Sequence, residues 1–129
     1  MGLLEKLEEK AKSRERKSLY LEEIEETVYW YPMTAGERQR ILKAAGFKWS
    51  RDNVEMDNAK YKASLVIEKL EDEAGRKIFS NTPEHKDLLI NKIPDELLNK
   101  IVNAIDPPRT EEEQLEEAKN EFENLSTEG

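Results

Sequence analysis

Residues 28–38, VYWYPMTAGER, join an aromatic stretch directly to a helix start. The β-branched and aromatic side chains of residues 28–31 favour a pleated strand. Pro32 has no N–H to donate, so the strand ends there or lies at a sheet edge. Thr34 and Glu37 have the spacing of a capping box, which predicts a helix beginning near Ala35. We expect the remaining helices to pack around this strand-to-helix junction.

A second strand is predicted just upstream of this junction. Leu19 and Leu21 alternate with polar neighbours over residues 18–23, and this strand would pair with residues 28–31 as a hairpin. The connection, Glu-Ile-Glu-Glu, lacks the Asn-Gly or Gly-Gly pair of a tight turn. The sequence therefore favours a hairpin without specifying its turn.

Helix signals dominate the rest of the chain. Gly46 suits the left-handed cap that ends the first helix, and Pro107 and Pro108 stop the last helix of the core. The other predicted helix starts are Asp57 or Asn58, Thr82 and Pro94. The predicted fold class is therefore mainly α (α+β), a helical domain with a small N-terminal β-hairpin.

Three segments are predicted. Residues 1–17 form a charged N-terminal arm or helix, residues 18–106 the hairpin and helical core domain, and residues 107–129 an acidic C-terminal helix or tail. The first segment has apolar residues at helical spacing, and both a partly frayed arm and a partner-binding or self-associating helix fit this pattern. Those residues are Leu3, Leu4, Leu7 and Ala11.

The negative charge is concentrated at the C-terminus. Residues 110–129 carry eight acidic residues and one basic residue, so −7 of the total charge of −8 lies there. The body is nearly neutral and lacks the basic surface of a nucleic-acid binder. The N-terminus has no apolar run that would make a signal peptide or anchor, and no stretch approaches the roughly 20 apolar residues of a membrane span. We expect a cytoplasmic protein that binds neither nucleic acid nor membrane.

The sequence predicts no catalytic, cofactor or metal site. It contains no cysteine, which excludes thiolate catalysis, thiolate metal sites and disulfides. The single histidine, His85, has no evident partner for acid–base chemistry, so we expect a surface histidine. No phosphate-binding glycine loop or nucleophile motif is present. We therefore expect a protein that is not an enzyme.

Three groups of apolar residues are candidates for partner binding. The first lies at the strand-to-helix junction, the second follows Gly46, and the third forms a stripe on the acidic C-terminal segment. The core is the alternative position for the first two groups, and a solvated tail is the alternative for the third. The candidates are Tyr29, Trp30 and Tyr31, then Phe47 and Trp49, then Leu115, Phe122 and Leu125.

Two stretches of the sequence carry a family resemblance. They are TAGER at residues 34–38, directly after the aromatic strand, and DEAGRKIF at residues 72–79, followed by two more helices. In this order the chain resembles the tail assembly chaperones of lambdoid, HK97-like long-tailed bacteriophages (siphophages) over residues 17–105. Members often have a glycine-rich turn where this chain has residues 22–26.

The resemblance implies a function in virion morphogenesis in the host cytoplasm. A tail assembly chaperone of this family keeps the tape measure protein soluble and helps recruit tail tube protein around it, and a homo-oligomer is expected. In this family a translational frameshift often yields a longer product that shares the N-terminal part. The alternative function from another class is a small helical nucleic-acid-binding regulator.

Overall fold

The computed structural model describes the backbone of residues 2–50 and 53–108. The described chain is mainly helical with a small N-terminal hairpin, which confirms the predicted α+β class. The elements in chain order are α1 (Leu3–Lys12), β1 (Lys17–Leu21), β2 (Glu26–Trp30), α2 (Ala35–Ala44), β3 (Lys48–Ser50), β4 (Asn53–Glu55), α3 (Asn58–Lys69), α4 (Pro83–Asp87), a π-helical turn (Leu88–Lys92) and α5 (Asp95–Ile105).

Strands β1 and β2 form the predicted antiparallel hairpin, with Leu19 opposite Val28. Val28 and Trp30 point into the core, since side chains on a strand alternate between its two faces. The turn over residues 22–25 contains no glycine, and Glu25 takes the left-handed position with φ of 51°. A glutamate therefore adopts a backbone conformation that glycine takes without strain.

Helix α2 begins at the residue that the capping box predicts. The Glu37 N–H donates to the Thr34 hydroxyl, and the Thr34 N–H donates to Glu37 Oε1 at 2.9 Å. The helix ends before Gly46, whose φ of 71° is the left-handed conformation expected of a C-terminal glycine. Asp57 is the cap of α3, where it accepts the Lys60 N–H.

Two elements differ from the sequence prediction. Residues 50–53 were expected to form a polar loop, but Ser50 and Asn53 pair with each other as the ends of strands β3 and β4 of a second hairpin. Residues 88–92 form a π-helical turn that continues α4. Strands β3 and β4 have three residues each, which is too short to show the alternation of apolar and polar residues that predicts a strand. A single π-helical turn has no hydrophobic periodicity that distinguishes it from an α-helix.

The core lies around α3, which packs against both α2 and α5. Leu65 and Val66 of α3 have no exposed surface, and Leu89 of the π-helical turn is equally buried. The hairpin covers the cluster with its inward face. The buried core residues that these elements contribute are Leu21, Val28, Trp30, Ile41, Ala63, Leu65, Val66, Leu70, Leu89, Leu98, Ile101, Val102 and Ile105.

Candidate partner-binding surfaces

Strand β2 pairs with the segment that follows α3. The Tyr29 N–H donates to the Glu71 carbonyl at 3.0 Å, and the Glu71 N–H donates back to the Tyr29 carbonyl at 2.8 Å. Glu71 also forms a bridge with Lys77. The segment after α3 therefore extends the hairpin on the β2 side.

The turn that returns the chain from Glu71 to Lys77 is held by Asp72. Its carboxylate accepts the backbone N–H and the guanidinium of Arg76, at 3.0 Å and 3.1 Å. The backbone hydrogen bond from Arg76, ahead of the charge of its side chain, lowers the pKa of Asp72. Gly75 has a φ of 82°, so this position requires the left-handed conformation that glycine adopts without strain.

The outer face of the hairpin carries Tyr20, Tyr29 and Tyr31, which we call the tyrosine face. Tyr20 is 53% exposed, and the other two are half-buried. The guanidinium of Arg16 lies 4.1 Å from the ring centroid of Tyr29, and that of Arg14 lies 5.2 Å from Tyr31. These distances are within the range of cation–π attraction.

The α1–β1 connection is fastened to the hairpin by Arg16. Besides stacking on Tyr29, its guanidinium donates to the Glu73 carbonyl at 2.8 Å. The sequence analysis did not identify these arginines. Their spacing is the sequence signal that could have identified them. Arg14 and Arg16 are separated by one residue, as are the tyrosines that they cover, Tyr29 and Tyr31.

Helix α1 presents a leucine face to solvent. Leu3, Leu4 and Leu7 are 75%, 68% and 59% exposed. Within the described part of the chain, none of the residues of α1 is buried. A predicted amphipathic helix is therefore present, and its apolar stripe does not contribute to the core.

The predicted partner-binding residues occupy different environments. Trp30 is 6% exposed and belongs to the core, whereas Phe47 is 38% exposed. Trp49 lies in β3, close to Phe47 in sequence. The C-terminal candidates Leu115, Phe122 and Leu125 lie outside the described residues.

A groove separates the hairpin from the end of α5. Its apolar wall includes Met33, Ile105 and the edge of Trp30, and its rim includes Lys17 and Arg38. We call this cavity of about 540 Å³ the junction groove. It forms at the strand-to-helix junction, where the sequence concentrated its aromatic residues.

Asp106 fixes the end of α5 beside the junction groove. Its carboxylate accepts a hydrogen bond from the Tyr61 hydroxyl. It also forms an ion pair with Arg38, whose Nη2 lies 3.4 Å from Asp106 Oδ1. The Asp106 side chain is only 18% exposed, so these two donors compensate for its lost hydration. The chain therefore leaves the core at a defined position.

The imidazole of His85 contacts residues that lie just before it in the chain. The Ser80 N–H donates to His85 Nδ1 at 2.8 Å, and the imidazole packs edge-on against Phe79 with centroids 5.6 Å apart. Among residues 2–50 and 53–108, no group of three or more potential ligands is arranged to hold a metal ion. The same part of the chain contains no helix with the length and apolar character needed to cross a bilayer.

The chain is similar to the bacteriophage HK97 tail assembly chaperone. The match covers 79% of this chain and 99% of that chain, with 16% sequence identity and a TM-score of 0.45. No protein-family model matches the sequence, and no curated protein matches it.

Proposed function

We propose that this protein is a bacteriophage tail assembly chaperone of the lambdoid, HK97-like type, which binds and solubilises the tape measure protein in the host cytoplasm. It would also help recruit tail tube protein during tail morphogenesis and act as a homo-oligomer. The sequence resemblance at residues 34–38 and 72–79 suggests the family. The observation that carries the proposal is the leucine face of α1, because it is an apolar surface that the core does not use.

The leucine face suits a long helical partner. Helices recognise each other through apolar residues three and four positions apart, and Leu3, Leu4 and Leu7 have this spacing. Charged residues of both signs flank the stripe, so the helix stays hydrated when no partner is bound. A chaperone that releases its client needs such a modest apolar surface rather than a large permanent interface.

Co-expression with the tape measure protein encoded nearby tests the proposal. We expect the wild-type chain to bring that partner into the soluble fraction and to co-purify with it. The double variant Leu4→Ser, Leu7→Ser should lose this capture while keeping its thermal unfolding midpoint, because both side chains are exposed. Val54→Ser is the matched control, since Val54 is an apolar residue 60% exposed on β4, outside the leucine face.

The possible outcomes distinguish an error in the proposed function from an error in the proposed binding surface. If the tape measure protein stays insoluble and unbound beside folded wild-type chain, the proposed function is wrong. If the Leu4, Leu7 variant captures the partner as well as Val54→Ser does, the function stands and the leucine face is not the binding surface. Adding tail tube protein to the co-purified complex tests recruitment, which should fail without the chaperone.

A further inference from the structure

The junction groove is an apolar depression with a cationic rim. Trp30, Met33 and Ile105 supply apolar surface, while Lys17 and Arg38 supply positive charge. Within the described chain, Lys17 has no salt-bridge partner, and Arg38 is paired only with Asp106. An occupant that combines an apolar stripe with carboxylates would complement this surface.

The course of the chain points to its own C-terminal segment as that occupant. Pro107 is part of the groove wall, and Asp106 is held in place by Tyr61 and Arg38. The next residues therefore start beside the groove. Since an extended chain spans about 3.3 Å per residue, Leu115 is close enough to return to the groove.

The composition of the segment matches the groove. Residues 110–129 carry a net charge of −7, and Leu115, Phe122 and Leu125 recur at helical spacing among the carboxylates. Lys17 pairs with Trp30 across the hairpin, so its side chain shares the strand face of Trp30 and supplies a positive charge at the groove. The only carboxylate that lines the groove among the described residues, Asp106, is already compensated by Arg38 and Tyr61.

We propose that residues 110–125 of the same chain dock on the junction groove, with the apolar stripe against Trp30 and Met33 and the carboxylates facing Lys17 and Arg38. Covalent linkage gives the segment a high effective concentration at the groove, so a modest contact suffices to keep it bound. A partner that needs this groove must displace the segment. The inference does not rest on the proposed function.

Paramagnetic NMR on the full chain tests this contact. The protein lacks cysteine, so Asn120→Cys provides a unique attachment point for a nitroxide label. We expect the label to broaden the signals of the Trp30 indole and the Met33 methyl group. The Trp30 signal can be assigned with Trp49→Phe, which removes the other indole.

A matched variant controls for charge. Leu115→Ser, Phe122→Ser in the same labelled chain keeps the net charge but removes the apolar stripe, so the Trp30 and Met33 signals should recover. High salt should restore part of their intensity, because it screens the attraction between the carboxylates and the cationic side chains of Lys17 and Arg38. Unchanged Trp30 and Met33 signals in the labelled chain without these serine substitutions would overturn the inference.

Mixing two populations identifies the molecule that supplies the segment. An isotope-labelled chain without nitroxide is combined with a nitroxide-labelled chain without isotope, so any broadening comes from a second copy. Contact within one chain predicts sharp groove signals in this mixture. Broadening in the mixture as strong as in the sample whose chains carry both labels would show that a second copy occupies the groove. That result would also overturn the inference.

Discussion

The carboxylate of Glu37 and the ammonium group of Lys69 form an ion pair between α2 and α3, with Nζ at 2.9 Å from Oε2 and 3.0 Å from Oε1. The Lys69 side chain is only 3% exposed. The same carboxylate completes the capping box with the Thr34 N–H. One side chain therefore caps α2 and also neutralises a buried charge on α3.

Removing one member of this pair should destabilise the fold strongly. Lys69→Met leaves the Glu37 carboxylate, 15% exposed, without its cation, and loss of one partner from a buried pair costs about 3 kcal/mol of unfolding free energy. Urea unfolding measures the change. Arg76→Ala is the control, because the Arg76–Asp72 pair is exposed and should contribute less than about 1 kcal/mol. Equal losses for the two variants would contradict this prediction.

The ionisation of Glu37 should also make the free energy of unfolding depend on pH in the acid range. Burial opposes its ionisation, but the hydrogen bond and charge of Lys69, together with the Thr34 N–H, outweigh this effect and lower the pKa of Glu37. A carboxyl group whose pKa is lowered in the folded state stabilises that state above its ordinary pKa. This contribution disappears as pH falls through the lowered value.

The expected result is a steeper acid-side decline in wild type than in Glu37→Gln. Urea midpoints measured from neutral pH into the acid range should fall for both proteins, because other carboxyl groups also titrate. The difference between the proteins should shrink as Glu37 becomes protonated. Parallel curves at all pH values would mean that Glu37 does not titrate as inferred.

Glu25→Gly should stabilise the first hairpin. Glu25 has a φ of 51°, a conformation that costs a residue with a side chain about 1 kcal/mol. Glycine removes this strain but also gains entropy in the unfolded chain, so the net increase in unfolding free energy should be below about 1 kcal/mol. The thermal midpoint reports it. Glu22→Gly, in the same turn, has no positive φ to relieve and should lower the midpoint.

Tyr61→Phe should loosen the end of α5. The Tyr61 hydroxyl donates to the Asp106 carboxylate, and a hydrogen bond to a charged group contributes about 1.5 kcal/mol or more. The unfolding free energy should decrease by that amount. Tyr20→Phe removes a hydroxyl from a side chain that is 53% exposed and should change it by less than about 0.5 kcal/mol. Similar effects for the two variants would exclude a special role for the Tyr61 bond.

Features determined by a few adjacent residues could be predicted from the sequence. The capping box of Thr34 and Glu37, the cap at Asp57 and the left-handed Gly46 each depend on local hydrogen bonds or backbone sterics. Local preference and tertiary packing agree at these positions. The helix starts and the first hairpin are therefore confirmed with nearly the predicted boundaries.

Contacts between distant segments could not be predicted in the same way. The junction groove requires Lys17, Trp30 and Ile105 to meet, and no spacing rule relates residues so far apart in sequence. The backbone pairing of Tyr29 with Glu71 is equally nonlocal. Sequence patterns identified the aromatic junction, whereas the direction of each side chain follows from how β2 is paired.

The pairing of Tyr29 with Glu71 also determines which edge of the first hairpin could pair with a strand from another molecule. The N–H and the carbonyl of Tyr29 both bond to Glu71, and the opposite edge of β2 pairs with β1, so the backbone of β2 is occupied on both sides. Within the described residues, β1 pairs with β2 alone, which leaves its outer edge as a template for an incoming strand. Lys17 and the glutamates at residues 22 and 23 flank that edge with charge. Charge beside an open strand edge disfavours edge-to-edge pairing, so a second copy should add to β1 less readily than an uncharged edge would allow.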